Sequence, residues 1–278
     1  MIIHTIEIEN LNIGYGNTTI IAGINTVVDK GEVIGIIGCN GAGKSTFLKT
    51  IRGLLPRQSG EIKYFGKNID DYKEKEIAKL VAYLQQDVNI GFGYKGKDIV
   101  LAGRYPYLEW WQNESKADNE LALACMDYTG TMGLADKPVN EISGGQKQRV
   151  LLAKVLAQQT PIMFLDEPTT GLDMVYQEEI FRFIKELSQM GKTIIMIVHE
   201  LNLAAKYCTR IFLLGEEKIL ADGSPQEVFT EELLSRAYKT AVQVDENENT
   251  GTMEITVKPN INDRDKGRKL LNKICHMS

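Results

Sequence analysis

Apolar positions along the chain come in short blocks whose period switches between that of a strand and that of a helix. Ile6 and Ile8 within residues 2–9, and Ile20, Ile21, Val27 and Val28 within 18–28, supply the apolar positions of two strands. Val33-Ile34-Gly35-Ile36-Ile37 is an unbroken apolar run, read as a short buried strand, and a helix is expected from about Lys44 to Arg52. A further strand is expected at Gly60–Phe65. Short strands around the buried run predict an antiparallel sheet flanking a parallel core. From about Asp87 to Asp136 the pattern turns helical. Leu101–Tyr107 and Ser115–Tyr128 read as helices, with Ala117, Leu121, Ala124, Cys125 and Tyr128 at helical spacing, so this stretch reads as a small helical subdomain. Strand signals return at Pro161–Asp166 and Thr193–His199 with a helix at Val175–Met190 between them, the alternation of βαβ units on a parallel sheet. Arg210–Leu214 and Lys218–Asp222 read as a hairpin, followed by a helix from about Pro225 to Tyr238. Val242–Asn249 is polar and reads as a linker or irregular segment, and Met253–Val257 as one more strand. Asp263–Ser278 is charged and reads as a surface helix or frayed tail.

The apolar run at Val33–Ile37 leads directly into Gly38-Cys39-Asn40-Gly41-Ala42-Gly43-Lys44-Ser45-Thr46. This fits G-x-x-x-x-G-K-[ST], the phosphate-cradling P-loop, and it has the strand before it and the helix after it that the motif requires. Glycines let the backbone curl so that its N–H groups point at phosphate oxygens, and the helix start adds its positive dipole end. Lys44 is placed to reach the outer phosphates and the Ser45 hydroxyl to ligate Mg²⁺.

Composition narrows the classes. The 278 residues suffice for one large domain or one domain with an appendage, and 43% hydrophobic with 25% charged residues is ordinary globular usage. No apolar run approaches the roughly 18–20 residues of a spanning helix, and the N-terminus lacks a signal-peptide layout. A soluble protein is therefore expected, with any membrane role exercised through a partner. A net charge of −5 argues against nucleic acid as the main partner. Cys39, Cys125, Cys208 and Cys275 are scattered, which disfavours a zinc site or disulfide framework and fits a reducing cytosol.

Downstream, Ile162-Met163-Phe164-Leu165-Asp166-Glu167 is an apolar strand ending in two acids, delivered to the sheet edge where open α/β folds bind ligands. Asp166 is expected to hold Mg²⁺ and Glu167 to polarise a water beside the terminal phosphate. Ile142-Ser143-Gly144-Gly145-Gln146 then supplies a serine and two glycines at a helix start. In this company it resembles the L-S-G-G-Q signature of ABC-type ATPases, with isoleucine for the leading leucine. The resemblance covers about residues 2–240 and implies the fold class: α/β, a P-loop NTPase core with an antiparallel β subdomain and an inserted helical subdomain at about 87–160. Residues 241–278 remain as a C-terminal extension without an assigned role.

The resemblance also implies a site. ATP would lie on Gly38, Asn40, Gly41, Ala42, Gly43, Lys44, Ser45 and Thr46, with Tyr15 stacking on adenine or else serving as a plain sheet-edge tyrosine. Ser143, Gly144, Gly145 and Gln146 would meet the ATP held by a second copy in a head-to-tail dimer. Gln86 resembles the glutamine that reaches Mg²⁺ and couples to the membrane partner, and Thr170-Gly171-Leu172-Asp173 the loop that crosses the dimer interface. His199 resembles the switch histidine at the γ-phosphate. Partners implied are membrane permease subunits and, indirectly, a substrate-binding protein, with the ATPase peripheral on the cytoplasmic face. Val100-Leu101-Ala102-Gly103-Arg104-Tyr105-Pro106-Tyr107 and Val198-His199-Glu200-Leu201-Asn202-Leu203-Ala204 are similar to stretches of importer ATPases serving iron-siderophore, haem and cobalamin uptake, with Glu200 where aspartate is common. Trp110 and Trp111 read either as packed core or as a patch that docks a permease helix. Cys39 stands where proline is frequent, as a passive small residue or a reactive thiol. The alternative function is a soluble ABC ATPase of DNA repair, translation or complex assembly, or the ATPase of another transporter class. The Thr46–Ile142 stretch holds no sustained heptads and the chain only one cassette, which disfavours the soluble types.

Overall fold

The structure is a computed structural model that describes residues 3–86, 88, 90, 91, 93–248, 251–258, 271, 274 and 275. The chain opens with β1 (Ile6–Tyr15), which turns tightly into β2 (Thr18–Val28). Then come β3 (Val33–Ile37), α1 (Lys44–Ile51), β4 (Ser59–Tyr64), β5 (Lys67–Asn68), α2 (Glu74–Leu80) and β6 (Val81–Leu84). The helical portion follows as α3 (Gly96–Leu101), α4 (Lys116–Tyr128) and α5 (Gly144–Ala157). The second half runs β7 (Ile162–Leu165), α6 (Met174–Gln189), β8 (Thr193–Ile197), α7 (Leu201–Tyr207), β9 (Arg210–Gly215) and β10 (Lys218–Gly223). It closes with α8 (Pro225–Val228), α9 (Glu231–Tyr238), β11 (Val242–Asn247) and β12 (Thr252–Val257).

Two sheets carry the site. β2-β1-β4-β5 form an antiparallel sheet, and β10-β9-β3-β8-β7-β6 form a second sheet, parallel throughout except for β10. β3, β7 and β8 are buried along their whole length, which is why they read as continuous apolar runs rather than alternating ones. One core fills the space between the sheets around α1, with Phe47, Leu48, Tyr64, Phe164 and Phe212 fully buried. A second lies on the opposite face of the parallel sheet beneath α6, α7 and α9, and a third holds α3, α4 and α5 together through Val100, Met126, Val150 and Ala153.

Three expectations change in detail. Leu101–Tyr107 is the last residue of α3 followed by a 3₁₀ turn over Ala102–Tyr107, where Pro106 cannot continue an α-helix. The helix expected from Pro225 to Tyr238 divides into α8 and α9. Val242–Asn249 was expected to be irregular, but Val242–Asn247 is a strand paired with β12, register Val242↔Val257. Its alternation is short, Val242 and Val244, and the run of acids and amides that follows hides it. The β12 amide of Ile255 donates to Asn202 Oδ1 of α7 at 2.7 Å, so tertiary contact fixes the hairpin. Of the expected tail over Asp263–Ser278, all but residues 271, 274 and 275 lie outside the described residues.

Candidate nucleotide site

The parallel sheet order explains how the motifs meet. β6, β7, β8 and β3 lie side by side, so the loops at their C-terminal edges gather Gln86, Asp166 and Glu167, His199 and the Gly38–Thr46 loop at one sheet edge.

In the loop, Gly38 is buried with φ 143°, and a Cβ there would collide with the Leu214 carbonyl on β9. Only glycine lets the backbone pass this close to the neighbouring strand. Gly43 follows with φ 91° and stands at the N-terminal end of α1. Lys44 is buried, and its ammonium donates to the carbonyls of Gly38 at 2.8 Å and Cys39 at 3.0 Å. Burial pulls the Lys44 pKa down, against the charges of Glu167, Cys39 and Asp166. Asn40 and Gly41 are exposed, while Ala42, Gly43, Ser45 and Thr46 are half-buried.

Asp166 is 1% exposed, accepts from the Ser45 hydroxyl at 3.1 Å and from the Tyr83 hydroxyl at 3.0 Å. Burial raises its pKa, and the two hydrogen bonds only partly offset this. Glu167 sits one residue on with φ 54°, a left-handed conformation that a non-glycine residue adopts at a cost and that is common at functional turns. Its carboxylate is 2.8 Å from His199 Nε2 and accepts from Gln86 Nε2 at 2.8 Å and from the Thr170 hydroxyl at 2.9 Å. Burial pushes this carboxyl up, but the His199 and Thr170 hydrogen bonds and the charges of His199 and Lys44 prevail, and its net pKa is lowered. Gln86, Glu167, His199 and Thr170, spread over more than a hundred residues of sequence, thus form one cluster. Glu200 next to His199 accepts from Thr169 at 3.0 Å and Gln177 at 3.2 Å, tying the histidine's turn to α6.

Tyr15 is 58% exposed at the end of β1, its hydroxyl 3.4 Å from Thr46 Oγ1, an open aromatic face beside the loop. Ser143 caps α5: its hydroxyl accepts from the Gln146 amide at 3.3 Å and Gln146 Oε1 accepts from the Ser143 amide at 3.0 Å. Gly144 is exposed, and Gly145 lies against Leu172 and the Gly171 carbonyl. Among the described residues no hydrogen bond joins this helix start to the Gly38–Thr46 loop. Gln148, one turn into α5, does reach the acidic turn, donating to the carbonyls of Glu167 at 3.4 Å and Pro168 at 3.2 Å.

Two contributors escaped the sequence reading. Tyr83 stands three residues before Gln86 at the end of β6, but its hydrogen bond to Asp166 crosses 83 positions. Tyr238, whose hydroxyl accepts from the Gly38 amide at 3.2 Å, carried no local signal at all. Burial pushes its hydroxyl up to about 12, so it meets the loop as a neutral phenol.

The profile of the ABC transporter family matches residues 21–170, more than half of the chain. The chain belongs to the ABC transporter family. It is accordingly an ATPase coupled to transport, and its nucleotide is ATP. The chain is 36% identical to the petrobactin import ATP-binding protein FpuD of Bacillus anthracis over 98% of this chain and 97% of FpuD. It is 38% identical to the ferric enterobactin transport ATP-binding protein FepC of Escherichia coli strain K12, over 83% of this chain and 85% of FepC. A dimeric structure of a bacterial ABC transporter cassette superposes with a TM-score of 0.71 at 27% identity, covering 79% of this chain and 98% of that one. Among the described residues of this ABC ATPase, no helix is long and apolar enough to cross a membrane.

Proposed function

We propose that this ABC ATPase energises an importer, taking up an iron chelate, haem or cobalamin through membrane permease subunits at the cytoplasmic face. The near end-to-end similarity to FpuD, an import ATP-binding protein by name, is the observation that carries the importer reading. FpuD and FepC are named for different cargoes at similar identity to this chain, so the cargo rests on the stretches around Gly103 and His199. In the proposed cycle two copies face each other head-to-tail, each ATP lying on one copy's Gly38–Thr46 loop and under the other's Ser143–Gln146 helix start. The exposed N-terminus of α5 supports this, because the capping box takes up the Ser143 and Gln146 amides and leaves those of Gly144 and Gly145 for an anion from outside the chain. The dimeric state of the similar cassette structure supports a pairing of two copies.

The residues at the loop fit Mg²⁺. Ser45 Oγ and the Asp166 carboxylate converge as hard oxygen donors, and Gln86, held on Glu167 through its Nε2, carries a further amide oxygen. When bound, Mg²⁺ neutralises charge on the transferred phosphoryl group. Lys44 would leave the Gly38 and Cys39 carbonyls for the phosphates, and Glu167 would take the proton of the attacking water while His199 and Gln86 orient that water and the phosphate.

The reading is tested with tagged Glu167→Gln protein trapped with ATP and Mg²⁺ in solubilised native membranes. A multi-span permease is expected to co-purify, and its associated binding protein would identify the cargo. Recovery of ribosomal or DNA-repair components instead would overturn the importer reading.

A further inference from the structure

The C-terminal end of α1 opens on a cavity of about 500 Å³ that the nucleotide chemistry does not use. Thr50 and Arg52 line it and are 2% and 8% exposed. Thr50 Oγ1 and Arg52 Nε find no hydrogen-bond partner among the described residues. Buried polar groups are nearly always paired, and a desolvated cation without a counter-charge is costly. Arg104 pairs with Asp118 and Arg210 with Asp222, and Arg149, whose Nε is also unpartnered, lies over the Tyr176 ring at 4.3 Å. Burial pulls the Arg52 pKa down, although a guanidinium stays charged throughout the neutral range.

The rest of the lining specifies what would satisfy these groups. Leu55, Pro56, Ile69 and Tyr72 give an apolar wall. Asp70, also on the lining, is neutralised by a two-point pair with Arg57. Glu74 adds a negative charge close enough to act on Arg52, without a salt bridge to it. A planar fork beside a hydroxyl matches a carboxylate. A doubly charged phosphate would meet more repulsion from Glu74 and nothing to suit the apolar wall. We propose that this cavity is a carboxylate-binding site, taking a single carboxylate borne on an apolar stem, whether a free small acid or an Asp or Glu side chain of a docked polypeptide. The site stands apart from the importer reading and does not depend on it.

Sodium butyrate titrated onto the full chain tests it, read by calorimetry or ligand-observed NMR, with inorganic phosphate as the competing anion. Saturable binding in the millimolar range is expected, phosphate binding several-fold more weakly. Arg52→Met should lower butyrate affinity at least tenfold and Thr50→Val several-fold, with ATP affinity unchanged in both. Arg52→Met should also melt at or above the wild-type temperature, because it removes an unpaired buried charge. A merely structural arginine would instead give a lower melting temperature, which overturns the proposal. Arg52→Lys keeps the charge and removes the fork, so a folded lysine variant with wild-type butyrate affinity would overturn it too, as would no butyrate binding to the wild type. Butyrate added to the purified complex with its membrane partner separates the two sources. Release of the partner assigns the carboxylate to a partner side chain, and undiminished butyrate binding to an intact complex assigns it to a free acid.

Discussion

Asp166 and Glu167 are neighbours in sequence with opposite electrostatics. Glu167 is held below its ordinary pKa by His199 and Thr170 despite burial, so it stays ionised as pH falls toward the ordinary carboxylate value of about 4. Turnover limited by this base should therefore be flat from neutrality down to about pH 5, measured as ATPase rate against pH. Glu167→Gln should bind ATP normally and lose about 10²–10⁴-fold in kcat, whereas wild-type turnover would exclude Glu167 as the base. Asp166 is raised by burial, so its charged form is disfavoured in the folded chain. A raised carboxyl is tolerated below its unfolded pKa and costs stability once pH rises through the folded value. The nucleotide-free Asp166→Asn chain should accordingly melt higher than wild type at pH 7, and the difference should close as the buffer is acidified. A lower melting temperature at pH 7 would mean that the Ser45 and Tyr83 hydrogen bonds outweigh desolvation.

At the scale of elements, the Gly103–Tyr107 stretch that pointed to one importer branch is also a packing device. A Cβ on Gly103 would collide with the Lys154 carbonyl, so glycine lets the 3₁₀ turn lie on α5. Arg104 donates to the Ala157 carbonyl at 2.9 Å and to Asp118 at 2.8 Å, and the Tyr107 hydroxyl donates to the Gln158 carbonyl at 2.8 Å. Asp118 serves twice, because it also closes the capping box with Ser115 at the start of α4. The Ser115 hydroxyl, Arg104 and the Ser115 amide together hold its pKa down to about 2. The stabilisation is thus present above the ordinary carboxylate range and lost as pH falls through about 2. Asp118→Ala should cost about 2 kcal/mol at pH 7 in urea unfolding, with the gap to wild type shrinking below about pH 4. The helical periodicity of α4 and the antiparallel flank were legible because each is a local pattern. The β11 strand was not, because its partner and its support on α7 lie outside any local window.

For the whole molecule, the aromatic pair left open by the sequence resolves onto the surface. Trp110 is 91% and Trp111 67% exposed, stacked edge-on at 5.3 Å, while Lys75 donates to the adjoining Leu108 carbonyl at 2.6 Å. This exposure excludes the packed-core reading and leaves the docking patch as the one to test. Trp110→Glu should weaken co-purification with the permease and leave ATP affinity unchanged, and equal loss of both, or loss of neither, would contradict the docking reading. Glu167→Gln with ATP should double its apparent mass in size-exclusion chromatography, while the nucleotide-free chain should not, if the exposed α5 start meets a second copy's ATP. The sequence by itself determined the motif residues, their order and the α/β alternation, because glycine-rich turns, buried apolar strands and helix caps are written in contiguous residues. Only the tertiary structure decided that Glu167 binds Gln86, His199 and Thr170 together, that Tyr238 touches the loop at Gly38, and that Arg52 is buried unpaired. Those facts depend on which strands become neighbours in the parallel sheet and on how α9 and α1 pack against it. That packing is a sum of many weak long-range contacts that no short segment encodes.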